Sequence, residues 1–214
     1  MIKNVIIIID YGMGNLNSVK RKLSRIGVNA QITSNPKEIL EAGKLILPGV
    51  GHFSKAVENL KRTGIWGVLN ESVLIRKTPI LGICLGLQLM CNQSEEGDVE
   101  GLGWFDANVV RFKVADKIKY KVPHIGWNNV SVQKESPLFK GILNDSEFYF
   151  VHSYHIISNN QKEVLTRTIY EYNFTSGLSK GNIFGLQFHP EKSHDVGEKI
   201  FYNFINLLKC SDPE

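Results

Sequence analysis

Hydrophobic positions along the first half of the chain fall into two alternating patterns. Continuous apolar runs, VIIII at 5–9 and LIL at 45–47, leave no polar face, which marks strands covered on both sides. Between them, apolar residues recur at helical spacing. Leu16, Val19, Leu23 and Ile26 make one stripe of a helix beginning near Asn15, with Gly27 as its stop. NAQIT and KLILP read as the next strands, helices follow over about 52–61 and 65–76, and TPILGI gives another strand. Alternation of this kind specifies parallel strands joined by helices.

From about Trp104 to Tyr172 the style changes. WFDANVVRFKV, NNVSVQ, FYFVHSYHII and EVLTRTIYEY alternate, and they are rich in aromatic and β-branched residues, which describes antiparallel strands. The buried strand NIFGLQF and a last amphipathic helix over about 194–208 then restore the first style, with Ile200, Phe204 and Leu207 or Leu208 facing in. The sequence contains no internal repeat, low-complexity linker or second core. The expected fold is α/β, a mostly parallel central sheet flanked by helices with an antiparallel β flap, in a single domain over 1–214.

Composition removes several alternatives. With 214 residues, 43% hydrophobic and 21% charged, the chain can bury a sizeable core and is not disordered. A net charge of +4 spread along the sequence is too weak to argue for nucleic acid, so no nucleic-acid partner is expected. The densest basic stretch, KVADKIKYK at 113–121, sets apolar residues between its lysines and reads as the wet face of a strand or hairpin. No window approaches membrane-spanning length, so no membrane association is expected. The run at 5–9 is also too short for a signal-peptide core and ends in Asp10 with no cleavage site following. Cys84, Cys91 and Cys210 are an odd number in a chain that needs no disulfide staple, which suits a reducing, cytoplasmic location.

The candidate chemistry lies in PILGICLGLQLM at 79–90. A strand that turns into a helix at one residue strains that residue and crowds its neighbours, and glycine two positions to either side relieves the crowding. Gly82 and Gly86 flank Cys84 in this way. Cys84 then stands over the carboxyl edge of the sheet at a helix N-terminus, where free N–H groups and the dipole favour a thiolate. The N–H of Leu85 points at an oxyanion formed by its attack. Cys91 lies on nearly the same helical face but about 10 Å along the axis, too far for a disulfide. It and Cys210 read as inert.

A cysteine nucleophile needs a base and a group to orient that base. Among six histidines, His189 follows NIFGLQF at a strand's carboxyl end and Pro190 holds it extended. Glu191, two residues on, points to the same side and can accept the ring N–H. Base followed by acid is not the α/β-hydrolase order, and the papain-type signature is absent. DYGMGNLN lacks the third glycine of a dinucleotide site, Asn17 standing there, and no acid ends the next strand. His152 and His155, read as one strand, fall on opposite faces with no carboxylate or thiol pair near in sequence. No metal is expected there, and no cofactor.

GICLGLQLM together with QFHPEKS resembles the class I, triad-type glutamine amidotransferases, over nearly the whole chain. DYGMGNLNSV, LPGVGHF, PHIGWN and FYFVHSYH, in that order, are similar to one branch, the glutaminase subunits of imidazole glycerol phosphate synthases. The resemblance implies a flavodoxin-like core and a triad of Cys84 as nucleophile, His189 as base and acid, and Glu191 as its orienting group. It implies L-glutamine as substrate. A second oxyanion N–H would come from Val50, in a loop with Gly49 and Gly51 that needs a partner to set it. Gly49, Gly51, Gln88, Ser153 and Tyr154 would hold the substrate. Asn15, Trp127 and Lys192 would face the partner; their bland readings are a helix N-cap, a core tryptophan and a solvated lysine. Leu87 stands where the family often has methionine, and His155 occupies a variable position.

The same resemblance implies a heterodimer with a cyclase subunit of (β/α)₈-barrel type, since no barrel fits in 214 residues beside this domain. Ammonia would pass between the subunits to make imidazole glycerol phosphate in histidine biosynthesis. One alternative keeps the glutaminase and sends ammonia to a sugar-acid amidating partner in surface-polysaccharide synthesis. Another is a silent regulatory protein, against which the intact triad argues.

Overall fold

The computed structural model describes residues 5–207, so the expectations for Leu208 and Cys210 lie outside the described residues. The first half runs β1 (Ile6–Ile9), α1 (Leu16–Arg25), β2 (Ala30–Thr33), α2 (Pro36–Leu40), β3 (Lys44–Gly49), α3 (Phe53–Arg62), α4 (Ile65–Asn70), β4 (Ile80–Cys84) and α5 (Leu85–Leu89). It continues as β5 (Gln93–Ser94), β6 (Val99–Glu100), β7 (Ala107–Arg111), β8 (His124–Val132), β9 (Ser146–His152), β10 (Tyr154–Ser158), β11 (Val164–Tyr170), β12 (Tyr172–Lys180), β13 (Ile183–Leu186) and α6 (His194–Ile205).

Strands β2, β1, β3, β4 and β13 lie side by side in that order, all parallel. This is the 2-1-3-4 order of a flavodoxin-like sheet. The sheet goes on antiparallel through β12, β10 and β7, while β8 and β9 form a hairpin joined to it through β11. The apolar run of β1 is explained by burial on both faces. Ile7 and Ile9 meet Phe53, Leu60, Ile65 and Leu69 of α3 and α4, while Ile6 and Ile8 meet Val19 and Leu23 of α1 and Ile200, Phe201 and Phe204 of α6.

Four stretches depart from the sequence expectation. The short helix α2 is unanticipated; Asn35 accepts the Lys37 N–H at 3.0 Å and Pro36 opens the turn. The helix from Ile65 leaves α geometry after Asn70 for a π turn over Glu71–Ile75. There the Asn70 carboxamide bridges the Trp66 carbonyl and the Trp104 indole N–H. KVADKIKYK is neither strand nor hairpin but irregular loop. Asp116 accepts the N–H groups of Ile118 and Lys119, and Glu171 accepts those of Ala115 and Asp116, so side chains capture the donors a ladder would use. The last helix ends at Ile205, short of the expected 208.

Candidate active site

Register brings the site together. Gly49 pairs with Cys84 across β3 and β4, and Leu186 of β13 pairs with Ile83, so three chain segments leave the sheet at one edge. Cys84 has φ 54° and ψ −109°, a backbone that costs a non-glycine residue about 1–3 kcal/mol. The flanking glycines make room for it. A Cβ on Gly86 would overlap the Leu47 carbonyl oxygen of β3, and one on Gly82 would sit 2.6 Å from Met90 Cε and 2.9 Å from the Gly86 carbonyl. Strand, turn and helix close up only because both positions lack a side chain.

Beyond β13, the His189 N–H donates to the Tyr149 carbonyl at 2.9 Å, which ties this segment to the flap. Pro190 then opens a tight turn over Pro190–Lys192 that returns Glu191 to the imidazole. His189 Nδ1 and Glu191 Oε1 are 2.7 Å apart and both side chains are buried. With Nδ1–H donated to the carboxylate, Nε2 makes no hydrogen bond among the described residues, and the Cys84 sulfur is close enough to act on its charge. Burial alone would lower the His189 pKa. Negative charge on the Cys84 sulfur and on the Glu191 carboxylate overcomes that and pushes it up to about 10, because an opposite charge nearby favours the imidazolium.

A cleft of about 410 Å³ opens above the sulfur. Val50, Gly51, Leu85, Gln88, Ser153, Tyr154 and Lys192 line it together with Cys84. Gly49 lies beneath: a Cβ there would overlap the Tyr11 hydroxyl and come within 2.9 Å of Leu85 Cβ. Asn15 occupies the N-cap position of α1 without a side-chain capping bond. Trp127 is half-exposed on β8, its ring stacked on His194 at 4.7 Å and 5°. Lys192 holds its ammonium 5.3 Å from the Tyr149 ring.

The glutamine amidotransferase class-I family profile matches residues 7–207. The chain belongs to the class I glutamine amidotransferases. It is 50% identical over 94% of its length to the imidazole glycerol phosphate synthase subunit HisH 2 of Methanococcus maripaludis, covering 98% of that protein. To the protein of the same name from Pseudomonas aeruginosa it is 45% identical, over 95% of this chain and 100% of the relative. Among solved structures, PurLQS from Thermotoga maritima superposes with a TM-score of 0.71 at 18% identity, covering 94% of this chain and 97% of that one; this likeness concerns the fold.

The histidines of this amidotransferase are arranged differently from the single-strand expectation. Pairing breaks at Ser153, between β9 and β10, and the break lets the rings of His152 and His155 both pack on Phe112, at 5.1 and 4.5 Å, instead of facing opposite ways. Their nitrogens are engaged. His152 Nδ1 lies 2.7 Å from the Tyr154 carbonyl and Nε2 3.0 Å from His124 Nδ1, while His155 Nε2 meets the Tyr172 hydroxyl at 3.0 Å. A carbonyl only accepts, so His152 carries its proton on Nδ1 and receives one from His124. Burial keeps all three neutral, lowering His124 to about 4 and His152 well below the ordinary range.

Sequence reasoning passed over Gln187, which is fully buried directly beside the Cys84 sulfur. The signal was present. In NIFGLQF, polar only at Asn182 and Gln187, the second lies two positions before His189 and shares that residue's side of an extended segment. Tyr11, whose buried hydroxyl has no partner among the described residues, and Glu96, which accepts the Phe53 N–H at 2.8 Å at the rim of the cleft, were also passed over.

Proposed function

We propose that this chain is the glutaminase subunit of an imidazole glycerol phosphate synthase, a single domain over 1–214 acting in the cytoplasm. The observation that carries the reading is the buried line from Glu191 through His189 to the strained Cys84 at the floor of a cleft of amino-acid size. Identities of 50% and 45% over almost the whole length to two proteins named as subunits of that synthase support the pathway.

In this reading the Cys84 thiolate attacks the side-chain amide carbon of L-glutamine, and His189 gives its proton to the leaving nitrogen. Ammonia departs, and a water deprotonated by His189 cleaves the thioester to glutamate. The N–H groups of Leu85 and Val50 take the oxyanion, each worth about 100- to 1,000-fold in rate. Gly51, Gln88, Ser153 and Tyr154 hold the substrate, and Gly49 gives the Val50 peptide freedom to turn. Asn15, Trp127 and Lys192 face a cyclase subunit of (β/α)₈-barrel type, to which the ammonia passes shielded from water.

The test is glutamate release and imidazole glycerol phosphate formation by the chain mixed with its cyclase, against Cys84→Ala. Loss of both products in the variant is expected, with little glutaminase in the isolated chain. Equal rates with and without the cysteine would overturn the reading, and glutamate release without the imidazole product would overturn the pathway.

A further inference from the structure

We infer that Gln187 is a further catalytic residue, whose one buried carboxamide gives an N–H to the Cys84 sulfur and its oxygen to Gln88. The inference rests on Cys84 being the nucleophile of the proposed glutaminase. Gln187 Nε2 lies 3.6 Å from Cys84 Sγ, and its Oε1 lies 3.1 Å from Gln88 Nε2. The same Gln88 nitrogen is 3.2 Å from the Tyr154 carbonyl.

Both amide orientations follow from that carbonyl. A backbone oxygen only accepts, so the Gln88 atom beside it is the NH₂ group. The Gln187 atom facing that NH₂ is therefore its oxygen, and the atom facing the sulfur is its nitrogen. Reversing either amide would set two donors or two acceptors against each other. The arrangement leaves Gln88 Oε1 as the atom of its carboxamide free to accept from a ligand amide or ammonium in the cleft. A glutamine side chain offers such donors and a glutamate carboxylate does not.

The sulfur is the sole acceptor of the Gln187 amide among the described residues. A neutral thiol is a weak acceptor and a thiolate a strong one. A fully buried N–H aimed at sulfur is thus well satisfied only when the sulfur is ionised, and Gln187 favours the nucleophilic form. The segment carrying it is held rigidly, since its own N–H donates to the Ser176 carbonyl at 2.8 Å. Other titratable groups around the sulfur are His189 with Glu191 behind it, Tyr11, His152, and Glu96 and Lys192 at the rim.

The experiment is alkylation of Cys84 by iodoacetamide as a function of pH in the full chain, read by mass spectrometry of the peptide holding Cys84. It requires neither glutamine nor a partner, so its outcome is independent of whether the glutaminase reading survives. In Gln187→Met the rate at neutral pH should fall about 10- to 100-fold, the worth of a hydrogen bond to a charged group, with the high-pH plateau unchanged. Gln187→Asn, too short to reach the sulfur but chemically alike, should move the profile the same way and serves if the methionine variant does not fold. In the complex, Gln187→Met should lower kcat more than it raises KM. Alkylation profiles superimposable on that of the unaltered chain, in variants with folded-state circular dichroism, would overturn the assignment.

Discussion

Gly86 is the position where local sequence, packing and catalysis meet most tightly. In Gly86→Ala the added Cβ would overlap the carbonyl oxygen of Leu47. That oxygen belongs to β3, which is held between β1 and β4, so the backbone on that side cannot yield. Relief must come from α5 lifting off β3 by on the order of an ångström, in an interior with no spare volume. Overpacking of this kind costs about 1–3 kcal/mol. For a chain of this size that lowers Tm by about 2–4 °C per kcal/mol, or about 2–12 °C here. The helix that moves carries Leu85 and Gln88, and an ångström of misplacement costs about 100-fold in rate. Thermal melts and glutamate release with the cyclase measure both effects. Gly185→Ala is the comparator, because the atoms nearest its Cβ all belong to the Leu87 side chain, which can yield where strand backbone cannot, and the loss there should be smaller. A Gly86→Ala protein with unaltered Tm and rate, or one more stable than Gly185→Ala, would refute the argument that this glycine sets the spacing of the Cys84 turn and β3.

Three further outcomes follow from the geometry. Glu191→Gln keeps the shape beside His189 and removes its charge, so kcat/KM should fall by about a thousandfold or more while the melting curve shows the chain still folded; a loss under tenfold would argue against the carboxylate's role. Tyr11→Phe removes a buried hydroxyl that has no partner among the described residues and should stabilise the fold by up to about 1–3 kcal/mol, seen as a higher urea midpoint; a lower midpoint would mean the hydroxyl is engaged. The histidines give stability opposite pH slopes on either side of pH 6.5. His124 and His152 are depressed in the folded state, so their contribution is present above 6.5 and is lost as pH falls toward 4. His189 is raised to about 10, so its contribution is complete below 6.5 and is lost as pH rises to 10. Urea midpoints across pH 4–10 should therefore peak near neutrality, and His124→Gln should flatten the acid side; an acid limb unchanged in that variant would contradict the assignment.

The parallel strands were legible because burial on both faces leaves a run such as VIIII without polar positions, and α1 because a one-sided helix repeats its apolar residues. Cys84 was legible from its glycines and Glu191 from its spacing to His189, since both relations are local along the chain. Helix α2 was a missed local signal, an asparagine cap followed by proline. The loop at 113–121 was misread because Glu171, far away in sequence, captures its donors. The histidines were misread because a break in pairing at Ser153 has no signature in the pattern around it.

The sequence by itself determined the α/β layering, the strained turn at Cys84, and the pairing of His189 with Glu191, all of which depend on neighbours within a few residues. Only the tertiary structure decided that Gln187 supports both the sulfur and Gln88, that Tyr11 lies under Gly49, and that three histidines form one neutral cluster. Those contacts join residues that strand register brings together, and register is a property of the whole sheet, set by which faces are buried rather than by any single stretch of chain.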